Sequence, residues 1–245
     1  MSADSTDGFL DGRLRLRQGR GHRAGTDAVL LSAVTPPGET GLILDVGAGA
    51  GAVGLMAAVR APGAAIGLVE IDPGAAALAR ENVAANGLAD RVSVFEADVT
   101  APGARRAAGL SDEKAALVLT NPPFYEVGRV RVTPDAAKAL AHVAAVPLAG
   151  WTRACLALLA PGGTFAMIHR AEALADCLAA VEARLGAVSI LPILPRAGAP
   201  ASRILLCGVK GSRAPLSLLA PLVLHGADGR FTEEAERMNR GETGV

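Results

Sequence analysis

Gly41-Leu42-Ile43-Leu44-Asp45-Val46-Gly47-Ala48-Gly49-Ala50-Gly51-Ala52-Val53-Gly54 is an apolar run that ends on an acid and then on alternating glycines. A short apolar run bounded by glycine reads as a strand buried on both faces. The glycines let the backbone turn tightly and approach a ligand closely. The helix expected over Ala52–Arg60 presents its free N–H groups to the same place. On the C-terminal side, residues 65–72 read as a second strand, and Pro73 opens a helix that runs to Asn86-Gly87. Strands follow over 92–98 and 115–120. A long helix is expected to end at Ala160, ahead of a strand over 164–169 and an amphipathic helix over 171–185. Residues 188–194 and 203–209 read as a closing pair of strands, and Thr232 caps a last short helix. On the N-terminal side, Thr26 or Asp27 caps a short helix reaching Val34. Residues 1–24 read as an irregular, arginine-rich arm, 25–210 as the core and 211–245 as a C-terminal extension of one domain. Strands alternating with helices make this an α/β chain with a mostly parallel, doubly wound sheet and helices on both faces. In such sheets ligands sit at the carboxyl ends of the strands.

Composition narrows the classes of function. About half of the 245 residues are hydrophobic, enough to bury a core without disulfides or metals. Lys+Arg and Asp+Glu number 24 each, so contact with nucleic acid requires a local patch. Cys155, Cys177 and Cys207 have no CxxC spacing and fit reduced thiols in a cytoplasmic protein. His22, His142, His169 and His225 are not spaced as metal ligands, and no metal is expected. No signal peptide and no membrane span is legible.

The loops carry the chemistry. Gly49, Gly51 and Gly54 fit G-x-G-x-x-G, which favours a nucleotide-like ligand. Asp45 would sit badly beside a pyrophosphate and is well placed for a cationic amino-acid end. Glu70 closes the second strand, where a carboxylate accepts from ribose hydroxyls. Its neighbour Asp72 is a helix cap. Asp98 ends the third strand, where a loop or cap carboxylate is the plain alternative to a ligand contact. The fourth strand leads into Thr120-Asn121-Pro122-Pro123-Phe124-Tyr125. Two prolines fix the chain direction and remove two donors, and Asn121 is pushed to an extended conformation. The result is a rigid ledge with an amide side chain and exposed carbonyls.

Asp45-x-Gly47-x-Gly49 resembles the first motif of class I S-adenosylmethionine-dependent methyltransferases. With Asn121-Pro122-Pro123-Phe124 it resembles the amino-nitrogen methyltransferases within them. The resemblance implies a Rossmann-like fold, a seven-stranded, mostly parallel sheet with an antiparallel last strand, and S-adenosylmethionine as cofactor. It also implies that Asp98 accepts from the cofactor's adenine amino group, with Ile71 and Val99 beside the two strand-end acids in the same pocket. An exocyclic amine on a heteroaromatic ring is a poor nucleophile, because its lone pair is delocalised. If Asn121 and the Pro122 carbonyl each accept one N–H, the nitrogen can pyramidalise toward the sulfonium methyl. Pro123 is a further substrate-binding candidate, and Phe124 or Tyr125 can stack on the planar target. A dehydrogenase is disfavoured, because Arg129 and not lysine stands four residues after Tyr125.

Residues 18–31, with Gly25-Thr26-Asp27, are similar to the opening segment of the tRNA1(Val) adenine-37 N6-methyltransferase family. Leu222–His225 and Asp228–Phe231 are similar to its tail. That resemblance implies that Thr26 and Asp27 help close the cofactor pocket and that RNA is the substrate. Release-factor-type protein-glutamine methyltransferases usually carry an extra N-terminal domain and N-P-P-Tyr. rRNA guanine-N2 enzymes often carry an extra domain. A third alternative is a non-enzymatic RNA-binding module. Arg13, Arg15, Arg17, Arg20 and Arg23 fall within eleven residues free of acids, and Arg129 and Arg131 follow the ledge. Either they form a basic rim contacting phosphates, with Arg20, Arg23 and Arg129 nearest the substrate, or they are a solvated arm or edge strand.

Overall fold

The structure is a computed structural model of the chain and describes residues 5–19, 24–122 and 146–245. The central strands are β3 (Leu42–Val46), β4 (Ala65–Glu70), β5 (Val92–Glu96), β6 (Ala115–Thr120), β7 (Leu159–Arg170), β8 (Leu185–Arg196) and β9 (Arg203–Lys210). They lie in the order β8-β9-β7-β6-β3-β4-β5. Pairing is parallel from β7 through β6, β3 and β4 to β5, while β9 runs antiparallel to both β7 and β8. This is the seven-stranded sheet with its antiparallel last strand. Two short strands that the sequence reading missed, β10 (Ser217–Leu218) and β11 (Leu222–His225), pair parallel with β8 and extend the sheet to nine strands.

Alternation along each strand divides the core in two. Ile43, Ile66, Leu68, Leu117 and Leu119 point into one layer with α1 (Thr26–Ser32), α2 (Ala52–Arg60) and α3 (Pro73–Ala85). Leu44, Val46, Val69, Val118, Phe165 and Met167 point into the other, with Leu110 after α4 (Pro102–Ala107) and with α5 (Leu148–Leu158) and α6 (Leu174–Val181). Helices therefore cover both faces. Among the described residues no helix is long and apolar enough to cross a membrane.

The N-terminal segment is not an irregular arm. β1 (Ser5–Phe9) and β2 (Leu14–Gln18) form an antiparallel hairpin. Leu14 and Leu16 are buried in the first core layer, while the alternating Arg15 and Arg17 face out. The free edge of β2 is completed by side chains of α3. Asn82 accepts from Arg17 N (2.8 Å) and donates to its carbonyl (3.0 Å), and Asn86 does the same at Arg15 (3.0 and 2.7 Å). Two of the expected rim arginines serve packing. Arg13 donates to the Leu10 and Arg240 carbonyls, and Arg17 pairs with Glu81. Arg20 and Arg23 lie outside the described residues.

Other boundaries moved for local reasons. Gly25 is the N-cap of α1 and Thr26 its first residue, with no side-chain cap, so the expected Thr26 or Asp27 cap is corrected. α5 stops at Leu158, because Leu159 already pairs with Ala115 on β6. α6 ends at Val181, and Ala183 turns the chain at φ +59°. The C-terminal α7 (Glu233–Asn239) has the expected Thr232 cap, which accepts from Ala235 N at 3.3 Å.

Candidate functional site

The carboxyl ends of β3, β4 and β6 meet around the glycine loop. Gly47, Gly49 and Gly51 all have positive φ, which suits residues without a Cβ. Gly47 N and Ala48 N donate to the Val69 carbonyl (2.9 and 3.0 Å), pinning the loop to β4. From below, the Asn82 side chain donates to the Ala50 carbonyl at 2.9 Å while holding β2. Asn82 is fully buried, and sequence reasoning did not single it out. Replacing it with Ala strands three backbone partners, at an expected cost of about 2 kcal/mol. The melting temperature should fall by roughly 5 °C. A variant that melts like wild type would show that water replaces the amide at no cost.

Asp45 lies under this loop, 1% exposed. Its Oδ2 accepts from Gly54 N at 2.8 Å. Gly54 is in the first turn of α2, where amides have no helical partner and the N-cap, Gly51, has no side chain to offer. Asp45 thus caps α2 from the neighbouring strand. Burial pushes its carboxyl up to about 7; the Gly54 hydrogen bond pulls it down and the charge of Glu70 raises it further. An unfolded aspartate ionises near 3.9. Between there and about pH 7 the folded chain keeps a proton that the unfolded chain has lost. Stability of the ligand-free protein should therefore fall as pH rises across that window, by at most roughly 1.4 kcal/mol per pH unit, and level off above it. Thermal melts of wild type and Asp45→Asn check this. The variant should lose the slope, and an unchanged slope would place it on other groups.

Glu70 turns back on its own loop. Oε2 accepts from Gly49 N (2.7 Å), and Oε1 from Ile71 N (2.8 Å) and Asp72 N (2.9 Å). Burial raises its carboxyl, against the pull of these three amides. A carboxylate offers about four acceptor positions, so it can tie the glycine loop to β4 and still take a hydroxyl. Asp72 caps α3 through Ala75 N at 2.7 Å. Asp98 Oδ1 accepts from Thr100 N (2.8 Å) and its hydroxyl (2.6 Å), a turn that fixes the carboxylate just beyond β5. Val99 is buried, and its carbonyl accepts from the Arg105 guanidinium at 2.7 Å.

Asn121 follows β6 directly. Thr120, fully buried, donates to the Val46 carbonyl at 2.9 Å and accepts from the Trp151 indole at 2.9 Å. The same indole closes on the glycine loop, where a Cβ on Gly47 would come 3.1 Å from it. One side chain of α5 thus locks the start of the ledge to the start of the loop. Sequence reasoning missed it, although a lone tryptophan in an alanine-rich helix was the available signal. The Asn121 Oδ1 is buried and has no hydrogen-bond partner among the described residues. Pro122 is buried beside it. Pro123, Phe124, Tyr125 and Arg129 lie outside the described residues. Asp27, at the start of α1, reaches across to β9 and pairs with Arg203 at 2.9 Å. Arg203 is a further residue of this edge that the sequence reading did not mark.

A cradle closed to a Cβ, three acids at or just beyond successive strand ends and an orphaned amide oxygen fit a cationic nucleoside cofactor. S-adenosylmethionine would supply an electrophilic methyl group on a sulfonium. Comparisons with known proteins agree. The methyltransferase small domain family matches residues 23–174. The tRNA1(Val) (adenine(37)-N6)-methyltransferase of Aeromonas hydrophila is 34% identical over 215 residues, 86% of each chain. That of Dickeya chrysanthemi is 30% identical over 229 residues, covering 89% of this chain and 86% of its own. A crystal structure from Agrobacterium tumefaciens, described as a predicted O-methyltransferase, superposes with a TM-score of 0.75. It is 33% identical and covers 89% of this chain and 98% of its own. The chain belongs to the methyltransferase small domain family of S-adenosylmethionine-dependent methyltransferases.

Proposed function

We propose that the chain transfers a methyl group from S-adenosylmethionine to the N6 amino group of an adenine in the anticodon loop of a tRNA. One observation carries the nitrogen acceptor: the buried Oδ1 of Asn121, which has no hydrogen-bond partner among the described residues. A buried acceptor without a donor is costly, and an incoming N–H removes that cost. The amine gives one N–H to Asn121 and the other to the Pro122 carbonyl, which turns its lone pair out of the ring plane. S-adenosylmethionine held by the glycine loop would supply the methyl group, Asn121 and the Pro122 carbonyl would aim the nitrogen lone pair at it, and no base from the chain would be needed, because methylation makes the nitrogen's proton acidic. Methylation of a hydroxyl would require a base for its single proton, and Asn121 has no basic atom.

In the cofactor pocket, Asp45 and Glu70 hold the loop, Asp45 on the side of the cofactor's cationic amino-acid end and Glu70 as acceptor for the ribose hydroxyls. Asp98 faces its adenine, with Ile71 and Val99 beside it, and Thr26 and Asp27 border the pocket. The relatives' names support tRNA as the substrate. An unpaired loop base is also cheap to turn out of its stack. A protein-glutamine acceptor is separated by incubating the enzyme with labelled cofactor and either total tRNA or total protein. Label is expected in tRNA, and label confined to protein would overturn this reading.

A further inference from the structure

The carboxyl edge of the sheet continues well past the ledge. From β6 it passes to β7 (Arg170), β9 (Arg203), β8 (Arg196) and β11 (His225). At about 4.8 Å per strand, His225 stands roughly 19 Å from Asn121 along this rim. Arg170 and Arg203 are each tied to an acid, Glu172 at 3.2 Å and Asp27 at 2.9 Å. Arg196 is exposed and makes no ion pair among the described residues. It sits in register with His225 on β11. Beyond His225 the chain folds back through Gly226-Ala227-Asp228-Gly229-Arg230, held by Gly226 N to the Arg230 carbonyl at 2.9 Å. This places Phe231 opposite His225, the rings stacked with centroids 4.7 Å apart and an interplanar angle of 24°. Phe231 stays 38% exposed despite the stack, and the Arg230 guanidinium is open to solvent beside it, 4.0 Å from Asp228.

Two exposed arginines around an exposed aromatic stack match a single-stranded nucleic acid. Its bases present π-faces and its phosphates present the negative charge. A peptide acceptor offers neither in series. We propose that Arg196, His225, Arg230 and Phe231 form a docking platform for the RNA flanking the methylated base. An unpaired base stacks on Phe231, and its phosphates lie against Arg196 and Arg230. The proposal rests on the RNA reading above and extends it to the β8–β11 margin. The rim distance corresponds to a few nucleotides, so the platform fixes which base of a loop reaches the ledge.

The test measures binding of an unmodified tRNA transcript by fluorescence anisotropy, alongside methylation, for wild type, Phe231→Ala, Arg196→Ala and Arg230→Ala. Cofactor affinity and melting temperature should stay at wild-type values, which separates docking from misfolding. Phe231→Ala should weaken RNA binding roughly ten-fold, the usual size for loss of one stacked base. Each arginine variant should reduce the slope of log affinity against log salt by about one. RNA affinity unchanged in all three variants overturns the platform. If wild type binds the transcript and the variants lose that binding, yet wild type does not methylate it, the platform stands and the substrate reading falls.

Discussion

Asn121→Ala lowers the rate constant of methyl transfer by roughly 10²- to 10³-fold or more, the size seen when one preorganised hydrogen-bonding group leaves an active site. Cofactor affinity stays within a few-fold of wild type. The asymmetry follows from position. Asn121 stands after Thr120, whose hydroxyl ties β6 to β3 at the Val46 carbonyl, so loop and ledge keep their geometry without the amide. What is lost is a buried acceptor that has no partner among the described residues and that an incoming amine can satisfy. Asn121→Asp tests the same point differently, because it keeps an acceptor but adds a charge. Its activity should be intermediate and fall with rising pH. The single tryptophan packs against Gly47, so its fluorescence reports cofactor binding in both variants. An alanine variant with wild-type turnover would remove Asn121 from the chemistry.

The second large effect is expected at Gly54→Ala. A Cβ there would lie 2.2 Å from Leu68 Cδ2 and 3.0 Å from Asp45 Cβ. Leu68 is fully buried and has nowhere to retreat. Overpacking of this kind costs about 3 kcal/mol at the upper end of its usual range. Relief by moving α2 away breaks the Gly54 N to Asp45 bond and opens the loop that α2 supports. The variant should melt well below wild type and bind cofactor at least a hundred-fold more weakly. Gly103→Ala, in α4 with open space around its Cβ position, is the matched control and should change neither property. Normal cofactor affinity in Gly54→Ala would mean that close packing of α2 on β4 is not what shapes the cradle.

How much of this was legible in the sequence depended on range. Apolar runs such as 42–46 and 115–120 name their own strands, because burial on both faces leaves no room for polar residues. Proline and glycine marked the ends of α2 and α3 for reasons that act within one turn. The β1–β2 hairpin was ambiguous, because the Arg-Leu alternation of β2 suits either an arm or an edge strand. What completes that edge is Asn82 and Asn86, some 65 to 71 residues away. α4 and the two short strands beyond β9 gave no periodic signal, being too brief to show one. At the site, the strand-end acids were visible as types in place. Their local duties were not, since Asp45 capping α2, Asn82 under Ala50 and Trp151 on Thr120 all join segments remote in sequence.

The central claim is that the orphaned amide oxygen and the cofactor cradle beside it methylate the N6 of a tRNA adenine. It is met most directly by incubating the purified protein with S-adenosylmethionine and an unmodified tRNA transcript, digesting the RNA to nucleosides and identifying the methylated product by mass. N6-methyladenosine, absent when Asn121 is Ala, is the result expected. N2-methylguanosine, N4-methylcytidine or a 2′-O-methylated nucleoside in its place would contradict the claim.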